Sequence, residues 1–281
     1  MKGVSFWLGC ALLVQAETLP SQIAVSANDG KYVPADAPDT PRTADTISIL
    51  RIDRGQAKVL ATLHAPATLT GPPGSVAISP DGRLAIVTAG QVLGESGASV
   101  AGDIVTVIDL RRPREPRIVQ TLHAGTNAAG VAINPAGTLA LVANSGADSI
   151  SAFTIAGGRL SAAGTIVLDP KSRPVDVQFV DGGTAYVVAQ GANSLFRLAI
   201  DGAGVRLVTG GIAVGAQPYS LAINRRTHMA YVGNIGGRSP APTPGPRPGS
   251  VSIVDLTTGR MVGQVDTGLT PEHVGLSPSG R

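Results

Sequence analysis

One half-sentence recurs along this chain, and that repetition limits the possible folds more than any other feature. The stretch "VAINPAGTLALVANSG" at residues 131–146 returns as "VAISPDGRLAIVTAG" from Val76 and as "LAINRRTHMAYVGNIG" from Leu221; its opening returns once more as "VGLSPSGR" from Val274. A short unit that cannot bury its own apolar face must stack on copies of itself, so tandem repeats point to a repeat architecture. Within each unit, runs rich in Val, Ile and Thr are split by "PDG", "PAG", "DGG" or "PSG". These read as strands joined by tight turns in which Gly supplies positive φ.

A second strand stands at "IAVSANDG", "LAIVTAG", "LALVANSG", "AYVVAQGA" and "AYVGNIGG". A third follows at "ADTISILRI", "GDIVTVIDL", "ADSISAFTI", "ANSLFRLAI" and "GSVSIVDL", and a fourth after each. Aligned on Ala27, Thr88, Ala143, Ala189 and Gly233, the units recur roughly every 45–60 residues, which suits four-stranded propeller blades with insertions. Several strands are apolar on both faces, as a blade packed between two neighbours requires. No helical period runs through the repeats, and a β-sandwich would not need near-copies of one unit. The expected fold is therefore an all-β propeller of four-stranded antiparallel blades with five blade-equivalents, at about 20–70, 71–125, 126–172, 173–216 and 217–270, residues 271–281 being the first strand of a further or closing blade.

At the N-terminus, Lys2 precedes an apolar run to Val14, and Val14-Gln15-Ala16 places small residues at the −3 and −1 positions. That is the pattern of a secretory signal peptide (residues 1–16) cleaved after Ala16, with residues 17–281 forming the propeller domain. The run is too short for a permanent membrane span. A periplasmic or secreted location follows. Cys10, the only cysteine, lies inside this peptide, so the mature chain offers no disulfide, thiolate nucleophile or Cys metal ligand. Aromatic residues make up 3% of the chain and the basic residues are scattered, which argues against a base-stacking platform and gives no specific nucleic-acid signal.

The residues "SPDGRLAIVTA", "NPAGTLALVANS" and "AYVGN" followed by "SVSIVDLTTG" resemble the YVTN-type repeats of YncE-like bacterial β-propellers, a family related to lactonase-type seven-bladed propellers and to haem d1 and methylamine-dehydrogenase-like propellers. The WD40 signature fits less well, because "IDL" or "VDL" stands where WD is expected. The resemblance implies seven blades, of which five are visible. Either Val274–Arg281 closes a five-bladed ring, or the frame is truncated at the C-terminus and lacks about two blades; ending at a turn favours the second.

Long insertions at 28–44, 90–102 and 236–249 all fall between second and third strands, on the face where such repeats place binding. On that face Gly74-Ser75, Ala129-Gly130, Val175-Asp176, Tyr219-Ser220 and Glu272-His273 hold equivalent positions at the start of each inner strand. Asp176, Tyr219, Ser220, Glu272 and His273 are thus the candidate binding residues, with Asp176, Glu272 and His273 as weak catalytic candidates. One His and two carboxylates from different blades make a poor ligand set, so no metal and no cofactor are expected. His64 and His123 share the context "TLHA" and read as an inherited surface position, while His228 lies on the opposite face. No G-x-S-x-G, HExxH, P-loop or CxxCH is present.

The expected function is accordingly a ligand- or protein-binding scaffold module using the insertion-bearing face, with a small molecule or a periplasmic protein as partner. The alternatives, which the family resemblance implies, are a lactonase-like hydrolase of a sugar lactone and an accessory subunit of a periplasmic redox enzyme.

Overall fold

The computed structural model describes residues 22–33, 39, 41–68, 74–95, 97–208, 210–239, 245–246 and 248–277. The signal-peptide reading of residues 1–16, with Cys10, lies outside these, as does part of the Pro-rich insertion at 239–248. Among the described residues every regular element is a strand. The first blade is β1 (Gln22–Asn28), β2 (Thr46–Asp53) and β3 (Gln56–His64), paired in that order. The second is β4 (Val76–Ile78), β5 (Leu84–Leu93), β6 (Ser99–Asp109) and β7 (Arg117–His123). The third is β8 (Ala128–Ile133), β9 (Leu139–Asn144), β10 (Ser149–Ala156) and β11 (Arg159–Val167).

In the fourth blade β12 (Pro174–Phe179), β13 (Thr184–Ala189) and β14 (Ser194–Asp201) are followed by an outer strand broken into β15 (Gly204–Leu207) and β16 (Ile212–Ala213), both paired with β14. The fifth holds β17 (Pro218–Asn224), β18 (Met229–Asn234), β21 (Ser250–Asp255) and β22 (Arg260–Asp266). A two-residue hairpin, β19 (Arg238–Ser239) with β20 (Gly245–Pro246), interrupts it between β18 and β21. All pairings within a blade are antiparallel, as expected for a β-propeller.

Burial follows from stacking. All six residues of β9 are buried, because alternate side chains enter different cores. Leu139, Leu141 and Ala143 pack against Val177, Phe179 and Val187 of the fourth blade. Ala140 and Val142 pack against Leu84, Ile86, Val105 and Val107 of the second. Burying one such Leu, Ile or Val contributes about 1.5–3 kcal/mol, so each interface between blades is a core in its own right. Strand β21 alternates buried with half-buried positions, its buried Val254 facing the fourth blade alongside Val232.

Three expectations shift in detail: the alignment of Ala189, the nature of the 90–102 insertion, and the first strand expected from residue 271. Ala189 pairs with Ser194 where Asn144 pairs with Ser149 and Asn234 with Ser250, so Val188, one residue earlier, is the true counterpart of Ala143 and Gly233. The insertion at 90–102 is largely an extension of the β5–β6 hairpin, with Gln91 opposite Ala101 and Leu93 opposite Ser99. Residues 267–277 form no strand. They cross the inner end of the fifth blade, where a Cβ added to Gly233 would sit 3.9 Å from the Val274 Cβ.

Candidate functional site

The insertion-bearing face opens into a cavity of about 680 Å³ that draws side chains from all five blades. The loop after each outer strand must turn the chain back to the axis before the next inner strand begins. After the second, third, fourth and fifth blades it does so through a residue in the left-handed region: Asn127 (φ 54°), Arg173 (46°), Gln217 (55°) and Thr270 (54°) hold equivalent places. Asn tolerates this conformation, but Arg, Gln and Thr do not favour it. The last three also precede Pro174, Pro218 and Pro271, whose rings bias the preceding residue toward extended backbone. Sparsely populated backbone of this kind persists only where the surroundings enforce it, and it clusters at ligand sites.

The side chains of Asn127, Arg173 and Gln217 line the cavity. A second tier of Gln91, Ser145 and Gln190 follows the inner hairpins, and Ser75, Tyr219 and Glu272 come from the start of the inner strands or their equivalent. Tyr32 and Thr68 complete the wall from the first blade's side. The Lys31 ammonium holds that side. It is buried and donates to Asp29 at 2.9 Å, to Asp45 at 2.8 Å and to the Ala67 carbonyl, tying the β1–β2 insertion to the loop that carries Thr68. Arg173 and Glu272 are the only charged residues of the cavity wall among the described residues.

The structure therefore brings Tyr219 and Glu272 to the mouth. His273 is exposed beside it and does not line it. Asp176 and Ser220 lie beneath the mouth, 3% and 0% exposed. Neighbouring residues of a strand point to opposite sides, so only one of each pair can face the axis. Register shifts between Pro174 and Asp176, and between Pro218 and Ser220, set which one does.

Asp176 occupies a junction of four blades. Its Oδ2 accepts the Leu221 N–H at 2.9 Å, its Oδ1 accepts the Val177 N–H at 2.8 Å, and a Cβ on Gly74 or Gly130 would fall 2.7 or 3.0 Å from Oδ1. Glycine at 74 and 130 thus makes room for the carboxyl. Burial pushes its pKa from 3.8 up to about 7, against the opposing pull of its hydrogen bonds from Leu221, Val177 and Gln178. The Ser220 hydroxyl, equally enclosed, has no hydrogen-bond partner among the described residues.

Among the described residues no three His, Cys, Asp or Glu side chains cluster as metal ligands would. No helix among them is long and apolar enough to cross a membrane. Asn127, Arg173, Gln217, Gln91, Ser145 and Gln190 went unnoticed in the sequence. The signal was present in "SRPV", "AQPY" and "LTPE", where a polar residue precedes Pro just before each inner position.

No protein-family model and no curated protein matches this sequence. Solved structures do. The periplasmic gluconolactonase of Pseudomonas aeruginosa superposes with a TM-score of 0.69 at 20% identity, over 93% of this chain and 73% of that one. A functionally unknown protein from Desulfotomaculum acetoxidans gives 0.62 at 17%, over 91% and 72%. Hydrazine synthase of Kuenenia stuttgartiensis gives 0.59 at 20%, over 78% of this chain, which spans 56% of the hydrazine synthase chain. At these identities the likeness is one of fold.

Proposed function

We propose that this chain is an exported hydrolase of sugar lactones acting at the mouth of the propeller, rather than the non-catalytic binding module suggested by its lack of catalytic motifs. One observation carries the reading: among the described residues, hydroxyl and amide side chains line the cavity, with a single guanidinium, Arg173, and a single carboxylate, Glu272. Hydroxyls and amides suit the alcohol groups of a sugar, each side chain able to donate and accept. The fold shared with the P. aeruginosa gluconolactonase supports the same reading, as does the likeness to YVTN-type repeats. In those repeats' terms, Asn144 and Asn234 close "ALVAN" and "AYVGN" by donating to Ser149 and Ser151 and to Ser250 and Ser252. The signal-peptide pattern at residues 1–16 supports a periplasmic or secreted location.

In the proposed reaction the Arg173 guanidinium draws the lactone carbonyl oxygen and stabilises the oxyanion as charge develops. Glu272 takes a proton from the attacking water. The tetrahedral intermediate collapses with cleavage of the ring C–O bond; the departing ring oxygen takes the proton from Glu272 and leaves as a hydroxyl on the aldonic acid. The two charges of the described wall cancel, and among the described residues a phosphate dianion would find only one cation, which favours an unphosphorylated lactone as substrate.

The test is hydrolysis of glucono-δ-lactone followed by acid release. General-base and oxyanion contributions each amount to about 10²-fold or more, so Glu272→Gln and Arg173→Ala should each lower kcat by about that factor. Wild-type protein no faster than buffer, or both variants as fast as wild type, would remove the proposal.

A further inference from the structure

The corner residues of the mouth share one backbone frame and carry different side chains. At each of the three corners that line the cavity, the corner N–H is taken by an acceptor on the preceding blade. Asn127 donates to the Gly102 carbonyl at 2.7 Å, Arg173 to Asp148 Oδ1 at 2.8 Å, and Gln217 to Asn193 Oδ1 at 2.8 Å. The corner carbonyl is taken as uniformly. It accepts from Ser145 N, Gln190 N and Ile235 N, each at 3.0 Å. Asp148 and Asn193 are themselves left-handed, with φ of 45° and 50°, at equivalent places in the turns after β9 and β13. The acceptor also matches its load: the Asp148 carboxylate serves two N–H groups, Lys171 and Arg173, at 2.8 Å each, whereas the Asn193 amide oxygen serves one. Gly191 belongs to the same frame, since a Cβ there would lie 2.0 Å from the Lys171 carbonyl oxygen.

Main-chain bonds and the turn residues therefore hold the unfavourable conformation. Among the described residues the corner side chains make no hydrogen bond that holds it, and Arg173 forms no ion pair. From this we infer that Asn127, Arg173 and Gln217 are the specificity-determining positions of the site, one presented per blade by a frame indifferent to its identity, with Asp148 and Asn193 as the positioning residues. Asn127 and Gln217 read hydroxyl groups of the ligand. Arg173 reads its one carbonyl or carboxylate group, through a planar pair of N–H donors that a lysine could not reproduce. This rests on the lactone reading for the chemical class of the ligand, and not for the frame.

Two measurements on the full chain test it. The first is thermal unfolding without ligand. Arg173→Gln, Gln217→Ala and Asn127→Asp should each stay within about 1 °C of wild type, whereas Asp148→Ala and Asn193→Ala should fall by about 3 °C or more, on the usual scaling for a chain of this size. The second is binding of gluconate and of glucitol, its uncharged counterpart, by titration calorimetry. Wild type should prefer gluconate, Arg173→Gln should lose that preference by at least tenfold, and Gln217→Ala should weaken both ligands alike. Asp148→Asn, with one acceptor oxygen for two donors, should weaken gluconate selectively. Corner variants that unfold as early as Asp148→Ala, or an unchanged gluconate preference in Arg173→Gln, would overturn the inference. If wild type neither binds gluconate nor cleaves the lactone, the lactone reading fails, and the unfolding arm alone then decides for or against the frame.

Discussion

Asp176 makes the stability of this protein depend on pH in the direction opposite to most carboxylates. Its carboxyl is buried at the junction of the second to fifth blades, and its pKa rises from 3.8 to about 7 because burial penalises the charged form. In the unfolded chain the group ionises near its ordinary value. The folded state therefore binds the proton more tightly, and the stabilisation is complete below about pH 4, declines as pH rises, and is gone above about pH 7. At 1.36 kcal/mol per pH unit, the span from 3.8 to about 7 corresponds to about 4 kcal/mol. That is a large fraction of the 5–15 kcal/mol typical of a folded domain.

The assay is urea unfolding of wild type and Asp176→Asn at several pH values from 4 to 8.5. The amide cannot ionise, so the difference in unfolding free energy isolates this group. Asp81, Asp109 and Asp255, whose pKa values are lowered chiefly by hydrogen bonds from Ser79, Arg111 and Thr257, are common to both proteins and cancel. At pH 4 wild type should equal or exceed the variant by up to about 1–3 kcal/mol, because one N–H of Val177 or Leu221 then meets an amide NH₂. The difference should then move toward the variant by about 4 kcal/mol by pH 8. A difference that stays flat with pH, or moves toward wild type, would refute the account of a carboxyl held neutral by burial.

Other perturbations follow from the same structure. Lys31→Met removes the buried cation that bridges Asp29 and Asp45 and should cost about 3–5 kcal/mol in urea unfolding, because breaking a buried ion pair from one side is strongly destabilising. Asn234→Ala, at a fully buried position, removes the amide donor shared by Ser250 Oγ and Ser252 Oγ, leaving Ser252 the Gly215 N–H alone, and should cost about 1–3 kcal/mol by the same measurement. Leu141→Ala, in the core between the third and fourth blades, should cost about 2–5 kcal/mol, read as a lowered denaturant midpoint at unchanged m-value.

The repeats determined the blades because stacking is dictated by what each strand can bury. Alternation in "LALVAN" already specified that Leu139 and Leu141 face one neighbour and Ala140 and Val142 the other, and the turns "PAG" and "PDG" fixed where each inner pair begins. Two of the equivalent repeat positions, Tyr219 and Glu272, do line the cavity on the insertion-bearing face, because equivalent positions must fall on one ring. The sequence could not distinguish them from Asp176 and Ser220. Which of two adjacent residues meets the axis depends on register shifts in β12 and β17, and such shifts leave no mark in composition. Tertiary structure decided the rest. The left-handed corners at Asn127, Arg173 and Gln217 exist because a preceding blade supplies the acceptor for each N–H, a contact between segments distant in sequence. The near-neutral pKa of Asp176 exists because other blades, Gly74 and Gly130 among them, pack over it and exclude water, against the opposing pull of the N–H that Leu221 donates. A repeat specifies its own unit, whereas the environment of a residue at the axis is the product of all the units that surround it.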